Sequence, residues 1–292
     1  MHDYDAIAGL VLEGIDGKEV RRKLDRTIRS AVTHNAGGFL AQACGYPAHF
    51  LRVCTRAGFP AVTLRVHFED QLYSYWDVLL QPDGDQFKIA DIYNYFNGGC
   101  RTEDFRCTMA PVLIAQNLKG ISTWLENWNL KQSDAEYLTS LLKAKSKGVD
   151  EDILTVCDQA PEHLRSNRLV YFIRGQALRK LKMANPRYEQ LYFESLQNPP
   201  PMPGTPHALE LLLIPKLLAA SDYQTADDAM EKVMAVIGDD AYLICMRAEI
   251  KNNLGNPAAA KELLRMAHKL EPDLPLLKEL MQELQLKLKN EC

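Results

Sequence analysis

The spacing of apolar positions changes twice along the chain. Over residues 17–32, Val20, Leu24, Ile28, Ala31 and Val32 recur at helical intervals, which predicts an amphipathic helix. Downstream of Phe50 the period shortens. Val62, Leu64, Val66 and Phe68 alternate with Thr63, Arg65 and His67, as in a strand. Two further strands are predicted at 72–80 and 87–96. Between them Gln81-Pro82-Asp83-Gly84-Asp85 supplies the dihedrals of a hairpin turn. Asn97-Gly98-Gly99 ends the sheet, and Pro111 interrupts a helical or loop-like stretch over 102–117.

Beyond Ser133 strand signals nearly vanish. Helical stretches alternate with short breaks at Lys147-Gly148, Ala184-Asn185-Pro186, Asn198 to Pro206, Ser221-Asp222, Gly238-Asp239-Asp240, Gly255-Asn256-Pro257 and Glu271-Pro272. Short breaks between helices predict antiparallel neighbours. The expected organisation is an α+β domain over 1–120 built on an antiparallel meander, a junction over 121–133, and an all-α domain over 134–292. Trp124 and Trp128, one helical turn apart, are expected to staple the junction.

The helical part repeats. In residues 241–272, Ala248 sits in the first helix of a pair and Gly255-Asn256 forms the turn. Ala260 and Ala267 lie in the second helix, and Pro272 follows it. Small residues at these points let helix backbones approach closely. Thirty-four residues earlier, Ser221-Asp222, Ala226 and Val233 occupy the same places, with bulkier Ile214 for Ala248 and Pro215 as an expected kink. Ala177 and Ala184-Asn185-Pro186 stand 71 residues before Ala248 and Gly255-Asn256-Pro257, the extra length being an insertion over 199–204. A degenerate copy spans 135–160 around Gly148. The pattern resembles the tetratricopeptide repeat. The segment from Leu274 onward, apolar at Leu276, Leu277, Leu280 and Leu284, is expected to cap the stack. By element order, the first 100 residues or so resemble the nuclear-transport-factor-like and cystatin-like α+β rolls.

Composition narrows the function. Charged residues are 25% and the net charge is -4, which disfavours nucleic acid as the partner. Seven cysteines in no CxxC pair fit free thiols in a reducing, cytoplasmic compartment rather than a zinc site. The N-terminus lacks the pattern of a signal peptide. The most apolar stretch, 208–220, is interrupted by Glu210, Pro215 and Lys216, so no membrane span is expected.

HExxH, GxSxG, Walker and GxGxxG motifs are absent. One constellation could carry acid–base chemistry. Closing the hairpin through Asp83-Gly84-Asp85 would set Asp77 opposite Asp91, Tyr75 opposite Tyr93 and Tyr73 opposite Tyr95, all on one sheet face. The paired carboxylates would need a proton, a cation or an arginine, or a different register. Lys18, Arg22, Arg26 and Arg29 share one helix face and read as a solvated strip. Repeats of the tetratricopeptide kind line a groove with their first helices. The resemblance therefore places Tyr242, Cys245, Glu249 and Asn252, preceded by Ala208, Leu211, Pro215 and Leu218, against a peptide or protein partner. Expected function is partner binding without cofactor or metal, and the alternative is a small-molecule or acid–base pocket at Asp77, Asp91 and the four tyrosines.

Overall fold

Five strands form an antiparallel meander. The strands are β1 (Ala48–Arg56), β2 (Phe59–His67), β3 (Tyr73–Asp83), β4 (Gln86–Asn94) and β5 (Gly99–Cys100), hydrogen-bonded in sequence order. The computed structural model describes residues 4–25 except 16, 17, 19 and 23, then 47–67 and 73–103 except 97. It further describes 106, 109, 113, 114, 121, 125, 126, 130–197 except 183 and 184, 199, and 208–284. The tryptophan pair, Arg26, Arg29 and most of 102–117 lie outside the described residues.

The β3–β4 hairpin departs from the expected register for two local reasons. Its turn is Gly84-Asp85 alone, with Gly84 at φ 60, so Asp83 pairs with Gln86 rather than entering the loop. A bulge then follows, since Leu80 pairs with Ile89 while Leu79 pairs with Asp91, leaving Ala90 extra. Each device shifts the pairing by one residue. Asp77 therefore faces Tyr93, not Asp91, while a shift of two keeps every side chain on its expected face.

The two faces are unusual in what they bury. One carries Thr63, Arg65, Tyr75, Asp77, Asp91, Tyr93 and Tyr95, all buried. The other is apolar, and only part of it is covered, around Val66, Trp76 and Ile92. Helix α1 (Tyr4–Val11) packs against β4, with Ala8 and Val11 buried. The described residues among 18–25 are helical. Leu24 is buried while Lys18, Arg21 and Arg22 are exposed, as an amphipathic helix requires.

Among the described residues beyond 130 the elements are helices: α2 (Ala135–Lys147), α3 (Asp150–Asp158), α4 (Glu162–Arg165), α5 (Arg168–Leu181), α6 (Pro186–Gln197), α7 (Ile214–Ala219), α8 (Tyr223–Ile237), α9 (Ala241–Asn253), α10 (Pro257–Leu270) and α11 (Pro275–Glu283). The chain is thus an α+β region followed by a helical one. Its compact units are Met1–Thr205 and Pro206–Cys292, and they divide at the proline-rich insertion. In the first unit Asp134 ties the start of α2 to α4. It accepts the Lys131 backbone N–H at 2.8 Å and contacts His163 Nε2 at 3.0 Å.

The asparagines and aspartates of the breaks act as helix caps. Asn167, Asn185, Asp222 and Asn256 each accept a backbone N–H from the first turn of α5, α6, α8 and α10 respectively. Ala177, Ala226, Val233, Ala248, Ala260 and Ala267 are all at most 1% exposed. Pro215 kinks no helix, because it falls in the first turn of the short α7, where a missing N–H costs nothing. In the second unit Asp227 of α8 binds Lys251 Nζ at 2.6 Å and Arg247 Nε at 3.1 Å on α9. Burial alone would raise its pKa, but those hydrogen bonds and charges outweigh it and hold the carboxyl below its usual range.

Ser221 has φ 58, matching Gly255 at φ 75 thirty-four residues later. A side chain in this left-handed region is strained, whereas glycine is not. Ser221→Gly should therefore stabilise the protein by about 0.5 kcal/mol, part of the relief being offset by the freer unfolded chain. A thermal melt that is lowered instead would show that Ser221 is not strained.

Candidate functional site

The buried sheet face is organised by Asp77, which is 0% exposed. Arg56 sits at the end of the outermost strand, next to the tight Ala57-Gly58 turn, and reaches across β2. Its Nε donates to Asp77 Oδ2 at 2.5 Å, and its Nη2 donates to the Tyr95 hydroxyl at 2.8 Å. Tyr95 donates in turn to Asp77 Oδ2 at 2.9 Å, and Thr63 Oγ1 donates to Asp77 Oδ1 at 2.7 Å. The Arg56 guanidinium also lies 3.9 Å from the centre of the Tyr93 ring. Burial and the negative charge of Asp77 raise the Tyr95 pKa, so its hydroxyl stays protonated and donating.

Asp91 does different work. Its Oδ1 accepts the backbone N–H of Ile92 at 2.7 Å and that of Thr102 at 3.3 Å, and its Oδ2 accepts from Thr102 Oγ1. Residues 101–103 are helical, and Glu103 accepts the Cys100 N–H at 2.7 Å. Asp91 thus caps a helical turn from the neighbouring strand, a role normally filled by the residue just before the helix. Desolvation raises its pKa, opposed by the Thr102 and Ile92 hydrogen bonds and reinforced by Glu103. A raised folded-state pKa contributes stability below the ordinary aspartate value, and that contribution is lost as pH rises through the raised one. Asp91→Asn can still accept both backbone N–H groups at its amide oxygen, and its NH2 can donate to Thr102 Oγ1 in place of accepting from it, without a buried charge. It should therefore match the parent near pH 3.5 and gain on it towards pH 7 in urea denaturation. A constant difference across that range would contradict the assignment.

The four tyrosines separate. Tyr75, Tyr93 and Tyr95 are 0%, 3% and 1% exposed. Tyr73 is half-buried and stacks on His67 with ring centres 4.7 Å apart. Tyr75 lies beside Tyr95, whose backbone N–H donates to the Tyr75 carbonyl at 3.1 Å. The face that carried the alternative pocket is therefore a packed layer. A solute cannot reach Asp77, and the arginine relieves its charge.

The expected groove of the last helix pair is also partly filled. Cys245 is 0% exposed and belongs to a core with Ala248, Ala260, Leu264, Leu277 and Leu280. This removes it from any partner-facing surface, because α11 packs against α9. Tyr242 is half-buried against the same core. Glu249 is half-buried, and its pKa is raised by burial and by the neighbouring Glu283 charge. Asn252 is half-buried, Leu211 is buried, and Leu218 is half-buried. Ala208 is buried and Pro215 exposed, so these positions do not form one continuous surface.

An open cleft lies elsewhere, among α3, α4, α5 and α6. It encloses about 720 Å³ and is lined by Cys157, Asp158, Arg165, Ser166, Val170, Tyr171, Arg174, Glu194 and Ser195. The Tyr171 hydroxyl donates to the Ser195 carbonyl at 2.9 Å, which fixes the ring against the cleft wall. Arg174 contacts Asp158 at 3.4 Å, with the Asp158 side chain 66% exposed. The Arg165 Nε donates to the Ala160 carbonyl at 3.2 Å. Burial pushes the Cys157 thiol up to about 12, with Arg174 opposing and Asp158 reinforcing the shift, so the thiol is neutral and a poor nucleophile. The cleft combines a fixed aromatic ring with cationic and anionic rims. Sequence reasoning passed over it, although a signal existed. Tyr171 and Arg174 stand 71 residues before Tyr242 and Cys245, the offset that relates Ala177 to Ala248.

No protein-family model, curated protein or solved structure matches the chain. Among the described residues no helix is long and apolar enough to cross a membrane, and no three metal-ligating side chains converge.

Proposed function

We propose that this protein is a non-enzymatic adaptor that holds a peptide or protein partner in the cleft between its helix pairs. The observation that carries the reading is the open cleft centred on Tyr171 and Arg174. In a register resembling the tetratricopeptide repeat, these residues correspond to Tyr242 and Cys245 of the last helix pair, positions that the resemblance assigns to a groove. The resemblance supports an extended segment as the occupant. The rims favour one that carries both charge signs beside an apolar or aromatic side chain. The α+β region, similar in element order to nuclear-transport-factor-like rolls, serves in this reading as an attached folded body, since its buried face offers no reachable acid or base.

The test is a pull-down from source lysate with the full chain, followed by affinity measurement on the captured partner. Arg174→Glu should weaken binding by about tenfold or more, as expected for a central charged contact. Tyr171→Ala should act similarly, and Tyr242→Ala should have little effect. Loss of binding with Tyr242→Ala alone would return the site to the last helix pair.

A further inference from the structure

The charges that line the cleft are not evenly spread. Arg174 Nε contacts Asp158 Oδ1 at 3.4 Å, and Arg165 Nε donates to the Ala160 carbonyl at 3.2 Å. Asp158 and Ala160 are two residues apart, so their Cα atoms lie within about 7 Å of each other. The two guanidinium groups are thus drawn to one end of the cleft that both line. Asp158 stands against the pair, through a long contact and with its side chain largely exposed. Arg165 itself makes no ion pair among the described residues. The other carboxylate of the lining, Glu194, accepts the Gln190 amide at 2.7 Å and stands beside Ser195, which holds the Tyr171 hydroxyl. The end bounded by α3 and α4 therefore carries two cations against one anion, while the α6 wall carries an anion.

We infer that the occupant of the cleft is an acidic peptide segment, which sets an anionic group between Arg165 and Arg174 and an apolar side chain against Tyr171 and Val170. The inference rests on the reading of this cleft as the partner site and adds the chemistry of the partner. Charge complementarity is the reason for the choice: a single exposed carboxylate only partly offsets two neighbouring guanidinium groups, and an incoming oxyanion completes the balance. In both arginines the Nε is engaged within the chain, which orients the group and leaves the two Nη nitrogens for the partner. Parallel N–H donors of this kind match a carboxylate or a phosphate. The 3.4 Å contact with Asp158 yields to a better-placed anion, because the Asp158 carboxylate can turn to water.

Fluorescence anisotropy on the full chain with short labelled peptides tests this. The peptides repeat a glutamate–glutamate–phenylalanine triplet, with phosphoserine, glutamine or lysine replacing glutamate in the counterparts. The better of the two anionic peptides should bind about tenfold tighter than the glutamine peptide, and its identity assigns carboxylate or phosphate as the anion. Arg165→Gln and Arg174→Gln should each remove most of that preference, and Arg165→Lys should keep part of it. Tyr171→Ala should weaken the anionic and glutamine peptides alike, and circular dichroism should show all four variants folded. An anionic preference that is absent, or that survives both glutamine variants, would overturn the inference, as would tighter binding of the lysine peptide. If Tyr171→Ala still weakens the glutamine peptide in that event, the cleft stands as the partner site and only the acidic assignment falls. Peptide binding that depends on none of Arg165, Tyr171 and Arg174 would remove the cleft reading as well.

Discussion

Asp77→Ala is expected to cost the first unit about 3–5 kcal/mol, because removing one member of a buried ion pair leaves its partners desolvated and unmatched. Three donors lose their acceptor at once: Arg56 Nε, the Tyr95 hydroxyl and Thr63 Oγ1. The Arg56 side chain is 18% exposed and can turn part of its charge to water, which places the result towards the lower end of that range. Tyr95→Phe removes one donor to Asp77 and should cost about 1 kcal/mol. Urea denaturation followed by near-ultraviolet dichroism reads both, since Tyr75, Tyr93 and Tyr95 report on this layer. Equal, small losses for the two variants would mean that Asp77 is not the organising group.

The second large effect concerns helix packing. Ala260 is 0% exposed in a core shared by α9, α10 and α11. A leucine there has no space to enter, and overpacking a close-packed site costs about 1–3 kcal/mol. Ala260→Leu should therefore lower the melting temperature clearly. Lys269→Leu, on the exposed side of the same helix, should shift it little. Equal shifts would show that α10 is not in contact where the spacing of Ala260 and Ala267 places it.

Much of this architecture was legible in the residue pattern, and the failures have local causes. The alternation of Val62, Leu64 and Val66 marked β2, and the breaks at Asn185, Asp222 and Asn256 marked helix starts that prove to be side-chain caps. β1 carried no clear signal, because the irregularity between Phe50 and Arg52 breaks its two-residue period. The Asp77–Asp91 pairing failed because a bulge at Ala90 and a tighter turn at Gly84-Asp85 cannot be seen in a hydrophobic pattern. Their combined shift of two left the shared face correct and only the partners wrong. The tyrosine face stood as the alternative pocket because opposed carboxylates would have needed a proton, a cation or an arginine. Arg56, far from Asp77 in sequence, is what allows that face to be buried. The groove on α9 was displaced by tertiary packing, with α11 covering Cys245.

Partner binding at the cleft is tested most directly by where a partner makes contact. A photoreactive phenylalanine analogue can replace Tyr171, Tyr242 or Phe87 in the full chain, expressed in the source cells and irradiated. The account predicts a defined adduct from position 171, competed away by the captured partner's peptide, and none of that species from 242 or 87. Adducts from 242 or 87 with none from 171 would contradict it.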